Sequence, residues 1–294
     1  MPTPGQPSSR SALSLTTAFA LALSFAAAPL CAAETDTVRS ADAAEKRMLL
    51  PGEVFRIEGH TAFIFTAVTL NDAPNSSASD GKPWILYAPT LPPYPDEAER
   101  WMHEQFTKAG VAVAGVDTGE SYGSPAAVAV TEALHADMVS RGYSAKPAVL
   151  GRSRGGLWAS AWAIAHPEFT AGLGGIYPVY DWATYPGLEK AAPAYGLEPD
   201  TLAARRSDLC PIEQAAVLAE HEIPVCIIHG DNDTVVPLEP NSAELRRRYE
   251  AAGKESFVQL IVAKGQGHSF WEGFFTCQPL VDFLIARARG SENQ

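Results

Sequence analysis

A serine set between two glycines, Gly151-Arg152-Ser153-Arg154-Gly155, lies between an apolar run that reads as a strand (residues 148–150) and an Ala/Trp-rich run that reads as a helix (residues 156–165). A strand that turns sharply into a helix forces the residue at the turn into a strained backbone and lifts its hydroxyl clear of the sheet. Glycines two residues to either side let neighbouring backbone approach without a clash. The first N–H groups of the helix face the same point, which makes the Arg154 amide a candidate donor to a developing oxyanion. A serine hydroxyl is a poor nucleophile at neutral pH, so it needs a base, and the base needs an orienting acid. Both follow downstream of strand-like runs: His229-Gly230-Asp231-Asn232-Asp233 with Val236-Pro237 after residues 225–228, and Gly267-His268 after residues 258–262. The candidate catalytic set is therefore Ser153, Asp233 and His268, with Asp231 and Asp181 as rival acids and His166, His221 and His229 read as structural. A phosphate cradle is disfavoured, because no Gly-Lys-Ser/Thr follows and the glycine spacing is not G-x-G-x-x-G.

Residues so far apart in the chain need a scaffold that brings strand ends together. Short apolar runs at residues 84–87, 111–116, 148–150, 172–176, 225–228 and 258–262 alternate with helical spacing at residues 96–109, 126–140, 156–165, 239–252 and 279–288. Strands that are apolar throughout, each followed by a helix, require a mostly parallel sheet with helices on both faces, an α/β architecture whose active sites lie at the carboxyl ends of the strands. Residues 60–69 read as a strand at the leading edge of the sheet and residues 71–81 as a loop. Between 177 and 210 the rhythm breaks into a Tyr-, Pro- and Ala-rich stretch, read as a small cap insertion over the site.

The 294 residues are 46% hydrophobic and carry 22 basic against 34 acidic side chains, a net charge of −12. A chain of this size buries a sufficient core without disulfides or a structural metal. Its acidity argues against nucleic acid and anionic membrane surfaces as partners. Residues 1–33, an Ala/Leu/Phe-rich run ending in Cys31-Ala32-Ala33, read as a cleaved export signal, leaving residues 34–294 as the working domain in the periplasm or outside the cell with no stable membrane insertion. Removal takes away Arg10 and no acid, so the charge of the remainder is −13. Cys226, inside an apolar run, reads as a buried small hydrophobe, whereas Cys210 and Cys277 lie in loop-like stretches and are free to pair in an oxidising compartment. No Cys-x-x-Cys or His-rich cluster is present, so neither a metal nor another cofactor is expected.

The elbow, the His-Gly-x-x-Asp-x-x-Val-Pro form at residues 229–237, and Gly267-His268, in that order, resemble the α/β-hydrolase superfamily and, in the second motif, its prolyl-oligopeptidase-like and esterase members. The resemblance spans residues 84–288 and implies the α/β-hydrolase fold, an eight-stranded mostly parallel sheet, and hydrolysis through an acyl-enzyme on Ser153. Many members carry a His-Gly pair where this chain has Tyr87-Ala88-Pro89-Thr90-Leu91-Pro92-Pro93. Prolines have no N–H to offer, which leaves the amides of Thr90 and Leu91 as candidates for the second oxyanion donor beside Arg154. No propeller domain is legible in the chain.

Arg152 and Arg154 either bind a carboxylate or hydroxyl-rich substrate or pair with internal acids such as Glu120 or Asp181. Glu120 and Tyr122 belong to a polar loop, residues 117–125, expected to line the same cleft. Tyr177, Tyr180, Trp182, Tyr185 and Trp271 supply either an aromatic wall suited to sugar rings or ordinary packing. The candidate substrate-binding set is Arg152, Glu120, Tyr122, Tyr177 and Trp271. The expected activity is hydrolysis of small carboxylic esters, including acyl groups on carbohydrate, with a peptidase using the same three residues and a non-catalytic binding protein as rivals.

Overall fold

Among the described residues eight strands, none longer than six residues, join one sheet in the order β1-β2-β4-β3-β5-β6-β7-β8. The structure, a computed structural model, describes residues 46–68 and 81–290. The export signal expected over residues 1–33, and all but the last residue of the loop expected over 71–81, lie outside the described residues. In chain order the elements are β1 (Gly52–Ile57), β2 (His60–Phe65), β3 (Trp84–Ala88), α1 (Arg100–Lys108), β4 (Ala112–Val116), α2 (Pro125–Ser140), β5 (Ala148–Arg152), α3 (Gly155–Ala165) and β6 (Gly172–Ile176). The short helices α4 (Leu188–Ala191), α5 (Pro199–Ala204), α6 (Arg206–Leu209) and α7 (Ala215–Glu220) precede β7 (Val225–Gly230). Then come α8 (Glu244–Ala251), β8 (Val258–Ala263), α9 (Glu272–Phe275) and α10 (Gln278–Ala288).

β3 to β8 run parallel, while β1 pairs antiparallel with β2 and β2 antiparallel with β4. The edge strand is therefore β1 rather than the strand expected at residues 60–69, which ends at Phe65 and lies second in the sheet. β1 escapes a hydrophobic scan because its first residues are exposed and polar, as an edge tolerates.

Side chains alternate across the sheet and build a core on each face. Trp84, Leu86 and Val149 pack with α2, α3, α7 and α8, whereas Ile85, Tyr87, Ala148 and Leu150 pack with α1, α9 and α10. Gly174 on β6 lets α10 lie close, since a Cβ there would sit 2.9 Å from Leu284 Cδ2. The helix expected over residues 96–109 begins with a reciprocal cap: the Asp96 side chain accepts from the Ala98 amide at 3.0 Å, and Glu99 accepts from the Asp96 amide at 3.2 Å. One 3-10 turn, Glu97–Glu99, then leads into α1.

Cys210, Cys226 and Cys277 are free and buried. The Cys210–Cys277 pairing does not form, because Cys210 belongs to the core on one face and Cys277 to the core on the other. Among the described residues no helix is long and apolar enough to cross a membrane.

Trp84 is fully buried and donates from Nε1 to the Ser144 carbonyl at 2.8 Å. Trp84→Ala is expected to cost about 3–5 kcal/mol through the cavity and the lost hydrogen bond, read as a lower urea midpoint at unchanged slope.

Candidate active site

The carboxyl ends of β3 to β8 fall on one edge of the sheet, and the residues following five of them converge there. After Arg152, the last residue of β5, Ser153 takes a left-handed backbone with φ of 52°. Its N–H donates to the Ile176 carbonyl at 2.9 Å, and its carbonyl accepts from Gly156 at 2.9 Å and Val179 at 2.8 Å. Those bonds hold a conformation that a side-chain-bearing residue does not otherwise favour. Gly155 lets the first turn of α3 press against the end of β3: a Cβ at that position would lie 2.3 Å from the Ala88 carbonyl oxygen.

Ser153 Oγ lies 2.8 Å from His268 Nε2, and His268 Nδ1 lies 2.8 Å from Asp233 Oδ2. The carboxylate accepts from Nδ1–H, which leaves the Nε2 lone pair facing the serine hydroxyl. Asp233 Oδ1 accepts from the amides of Val235 at 3.0 Å and Val236 at 2.8 Å. Beneath it His229, fully buried, places Nε2 2.8 Å from the Val236 carbonyl and 3.6 Å from Asp233 Oδ2, with Nδ1 2.7 Å from Ser242 Oγ. A carbonyl can only accept, so Nε2 carries the proton and Nδ1 accepts from Ser242. Burial pushes the Asp233 carboxyl up, but hydrogen bonds from His229, His268 and the Val236 amide outweigh it and hold the group well below the usual carboxylate range. The rival acids are occupied elsewhere: Asp181 takes both ends of Arg206 at 2.6 and 2.8 Å, and Asp231 accepts from the Gly265 amide at 2.6 Å. His166 packs against Trp162 and Phe169.

Ser153 and His268 open into a cleft whose walls include Pro89, Tyr94, Tyr177, Tyr185, Val235 and Phe270. Arg152 also lines it, yet its guanidinium is buried and ion-paired with Glu99 at 2.6 Å and Asp96 at 3.0 Å. Neither of the partners expected for it, Glu120 and Asp181, is involved. Nε donates to the Tyr177 hydroxyl at 3.2 Å, and Tyr87 donates to Glu99 at 2.7 Å. Burial pushes the Glu99 carboxyl up although Arg152 and Tyr87 draw it back. His103, enclosed by Phe65, Tyr87 and Phe106, is pushed down to about 3 by burial and by Arg152. Arg154 does pair with Glu120, at 3.0 Å.

The other expected substrate contacts divide. Tyr177 lines the cleft, its ring 4.3 Å from that of His268. Tyr122 is instead buried and stacked on Trp158 at 6.1 Å, because its loop turns inward, and it does not reach the cleft. Trp271 packs edge-on against Phe274 at 5.2 Å outside the cleft, and its neighbour Phe270 takes the place expected for it. Tyr180 and Trp182 belong to the core. Glu99, Tyr94 and Phe270 escaped the sequence reading: the Asp96-x-x-Glu99 spacing announces a helix cap but not an ion pair, and Phe270 is marked only by lying two residues after His268.

Among the described residues, the amides of Arg154, Thr90 and Leu91 donate to no protein acceptor. The Thr90 hydroxyl is tied to the Val116 carbonyl. No group of three His, Cys, Asp or Glu side chains among the described residues is arranged to hold a metal ion. The arrangement as it stands can pass a proton from a hydroxyl to an imidazole braced by a carboxylate.

No curated protein matches the chain. The model of the prolyl oligopeptidase family matches residues 118–277, just over half of the chain. Among solved structures, a Mycobacterium tuberculosis puromycin-hydrolysing peptidase is 20% identical over 83% of this chain and 40% of that one, with a TM-score of 0.63. The Pyrococcus horikoshii acylaminoacyl peptidase is 14% identical over 84% of this chain and 43% of that one, TM-score 0.64. Est1E from Butyrivibrio proteoclasticus is 16% identical over 80% of this chain and 98% of that one, TM-score 0.56. This chain thus spans about 40% of the length of the two peptidases, and at these identities the likeness shows the fold alone, that of the α/β hydrolases.

Two measurements probe the charges of the site. Glu99→Ala strands the Arg152 guanidinium without its nearest partner and is expected to destabilise the fold by about 3–5 kcal/mol in urea titration. Asp233, depressed in the fold, contributes stability that is complete above its unfolded value near pH 4 and is lost as pH falls towards the lower native value. Urea midpoints between about pH 5 and pH 2 should therefore fall more steeply for the wild type than for Asp233→Asn.

Proposed function

The chain belongs to the prolyl oligopeptidase family of serine hydrolases, and from that premise we propose that it cleaves carboxylic esters through an acyl-enzyme on Ser153. His268 Nε2 takes the hydroxyl proton as Ser153 Oγ attacks the ester carbonyl, while Asp233 remains ionised and holds the imidazolium. The Arg154 amide and an amide of the loop after β3, Thr90 or Leu91, receive the negative charge that forms on the carbonyl oxygen. His268 returns its proton to the departing alcohol. Water, with His268 again as base, releases the acid. The observation that carries this reading is the pair of 2.8 Å contacts from Asp233 through His268 to a serine held in a left-handed turn.

Ester rather than amide is favoured by the mouth of the cleft. Val235 and Phe270, exposed by 47% and 69%, line the cleft together with His268. Both arginines beside the serine are matched by acids. Such a cleft suits an apolar alcohol. The aromatic wall imagined for sugars keeps only Tyr177 and Tyr185, so acyl groups on carbohydrate are the less fitting form of the same proposal. The family match and the two peptidase structures favour the second reading, cleavage of peptide amides. Export after removal of residues 1–33 belongs to the proposal as well, and intact mass of protein from the native cell would place the amino terminus at Glu34.

Purified protein assayed on aryl esters, acetylated sugars and short peptide amides decides between the readings: turnover of esters alone supports the first, and turnover of amides alone overturns it. Ser153→Ala should abolish turnover and labelling by a fluorophosphonate, and Asp233→Asn should lower kcat by about 10⁴-fold. Full activity in Ser153→Ala would sink the mechanism.

A further inference from the structure

Lys46, ahead of β1, is 8% exposed and among the described residues forms no ion pair with a carboxylate. Its ammonium donates instead to three backbone carbonyls of one loop: Thr90 at 2.7 Å, Leu91 at 3.3 Å, and Tyr94. An ammonium has three N–H groups, so its capacity is spent on that loop. The Phe63 ring of β2 closes one side, 4.9 Å away, and Asp117 after β4 and Glu99 before α1 are the charged groups that face it.

Each peptide unit is planar, with its C=O and N–H pointing in opposite directions in a trans bond. Of the three units gripped by Lys46, those leading into Pro92 and Pro95 have no N–H. The Thr90–Leu91 unit alone does. Drawing the Thr90 carbonyl onto Lys46 therefore turns the Leu91 N–H to the opposite side, and that N–H has no protein acceptor among the described residues. The same loop contributes Pro89 and Tyr94 to the cleft beside Ser153.

We propose that Lys46 is a positioning residue of the oxyanion site, its ammonium fixing the loop over residues 90–94 so that the Leu91 amide is presented to the carbonyl oxygen of a substrate at Ser153. This rests on the serine-hydrolase reading above. The charged form is the one that works: a neutral amine has two N–H groups and turns a lone pair towards the carbonyls. Burial lowers the ammonium to about 8, against the opposing pull of Asp117 and Glu99, so the grip is present at neutral pH and is lost as pH rises through that value.

The test follows the rate at which a fluorophosphonate labels Ser153, because phosphonylation also develops charge on an oxygen and requires no knowledge of the substrate. Wild-type labelling should slow as pH rises through about 8. Lys46→Met should label about 100-fold more slowly at neutral pH, the effect of losing one oxyanion donor, with no further alkaline fall in that range. Lys46→Arg, whose guanidinium keeps its charge, should recover most of the rate and abolish the alkaline fall, with folding of each variant checked by circular dichroism. Once a substrate is in hand, the loss in Lys46→Met should appear in kcat rather than KM. A folded Lys46→Met labelling at the wild-type rate, or an alkaline fall unchanged in Lys46→Arg, overturns the role of Lys46 alone. Absence of labelling in the wild type overturns the serine-hydrolase reading, and this proposal with it.

Discussion

A guanidinium withdrawn from water one residue before Ser153 has to be matched where it lies, and much of the site is arranged around that requirement. Arg152 closes β5, and Glu99 and Asp96 meet it from the cap of α1. Because the same two acids also start α1, the ion pair fastens the amino end of that helix to the turn carrying the serine. Tyr87 of β3 joins through Glu99, and Tyr177 of the segment after β6 joins through Arg152 itself. Three strand ends and a helix start are thus tied at one buried charge. With Arg154 matched by Glu120 as well, the scarce cations flanking the serine do not create a positive field within an acidic protein.

The parallel strands and the order Ser153, Asp233, His268 were legible because both are local in the chain: an apolar run followed by a turn announces itself in a few residues. Contacts between distant segments were not. The partners of Arg152 come from more than fifty residues away, and nothing in the spacing distinguishes Glu99 from Glu120 or Asp181 as its match. Aromatic residues were ambiguous for the same reason. Tyr180 and Trp182 lie beside Tyr177 in the chain, yet the backbone after β6 turns them into the core while Tyr177 stays under His268. β1 was hidden by its position at the edge, where a polar residue such as Glu53 is exposed.

The loop after β7 shows how little of an active site is chemistry and how much is bracing. Asp233 spends one oxygen on two amides of its own turn, while His229 below fixes the Val236 carbonyl and is itself fixed by Ser242. Asn241 then accepts from the amides of Tyr180 and Asp181 and donates to the Pro237 carbonyl, joining this loop to the one after β6. The carboxylate that orients His268 is in this way held by two strand-end loops rather than one.

The thiols carry a different lesson. Burial raises Cys210 and Cys226 to about 12 and lifts Cys277 above its ordinary value, so at neutral pH all three stay protonated and poorly nucleophilic. No disulfide joins them. Among the described residues a reductant such as dithiothreitol therefore meets no cystine to cleave, and these three thiols serve as small apolar packing groups.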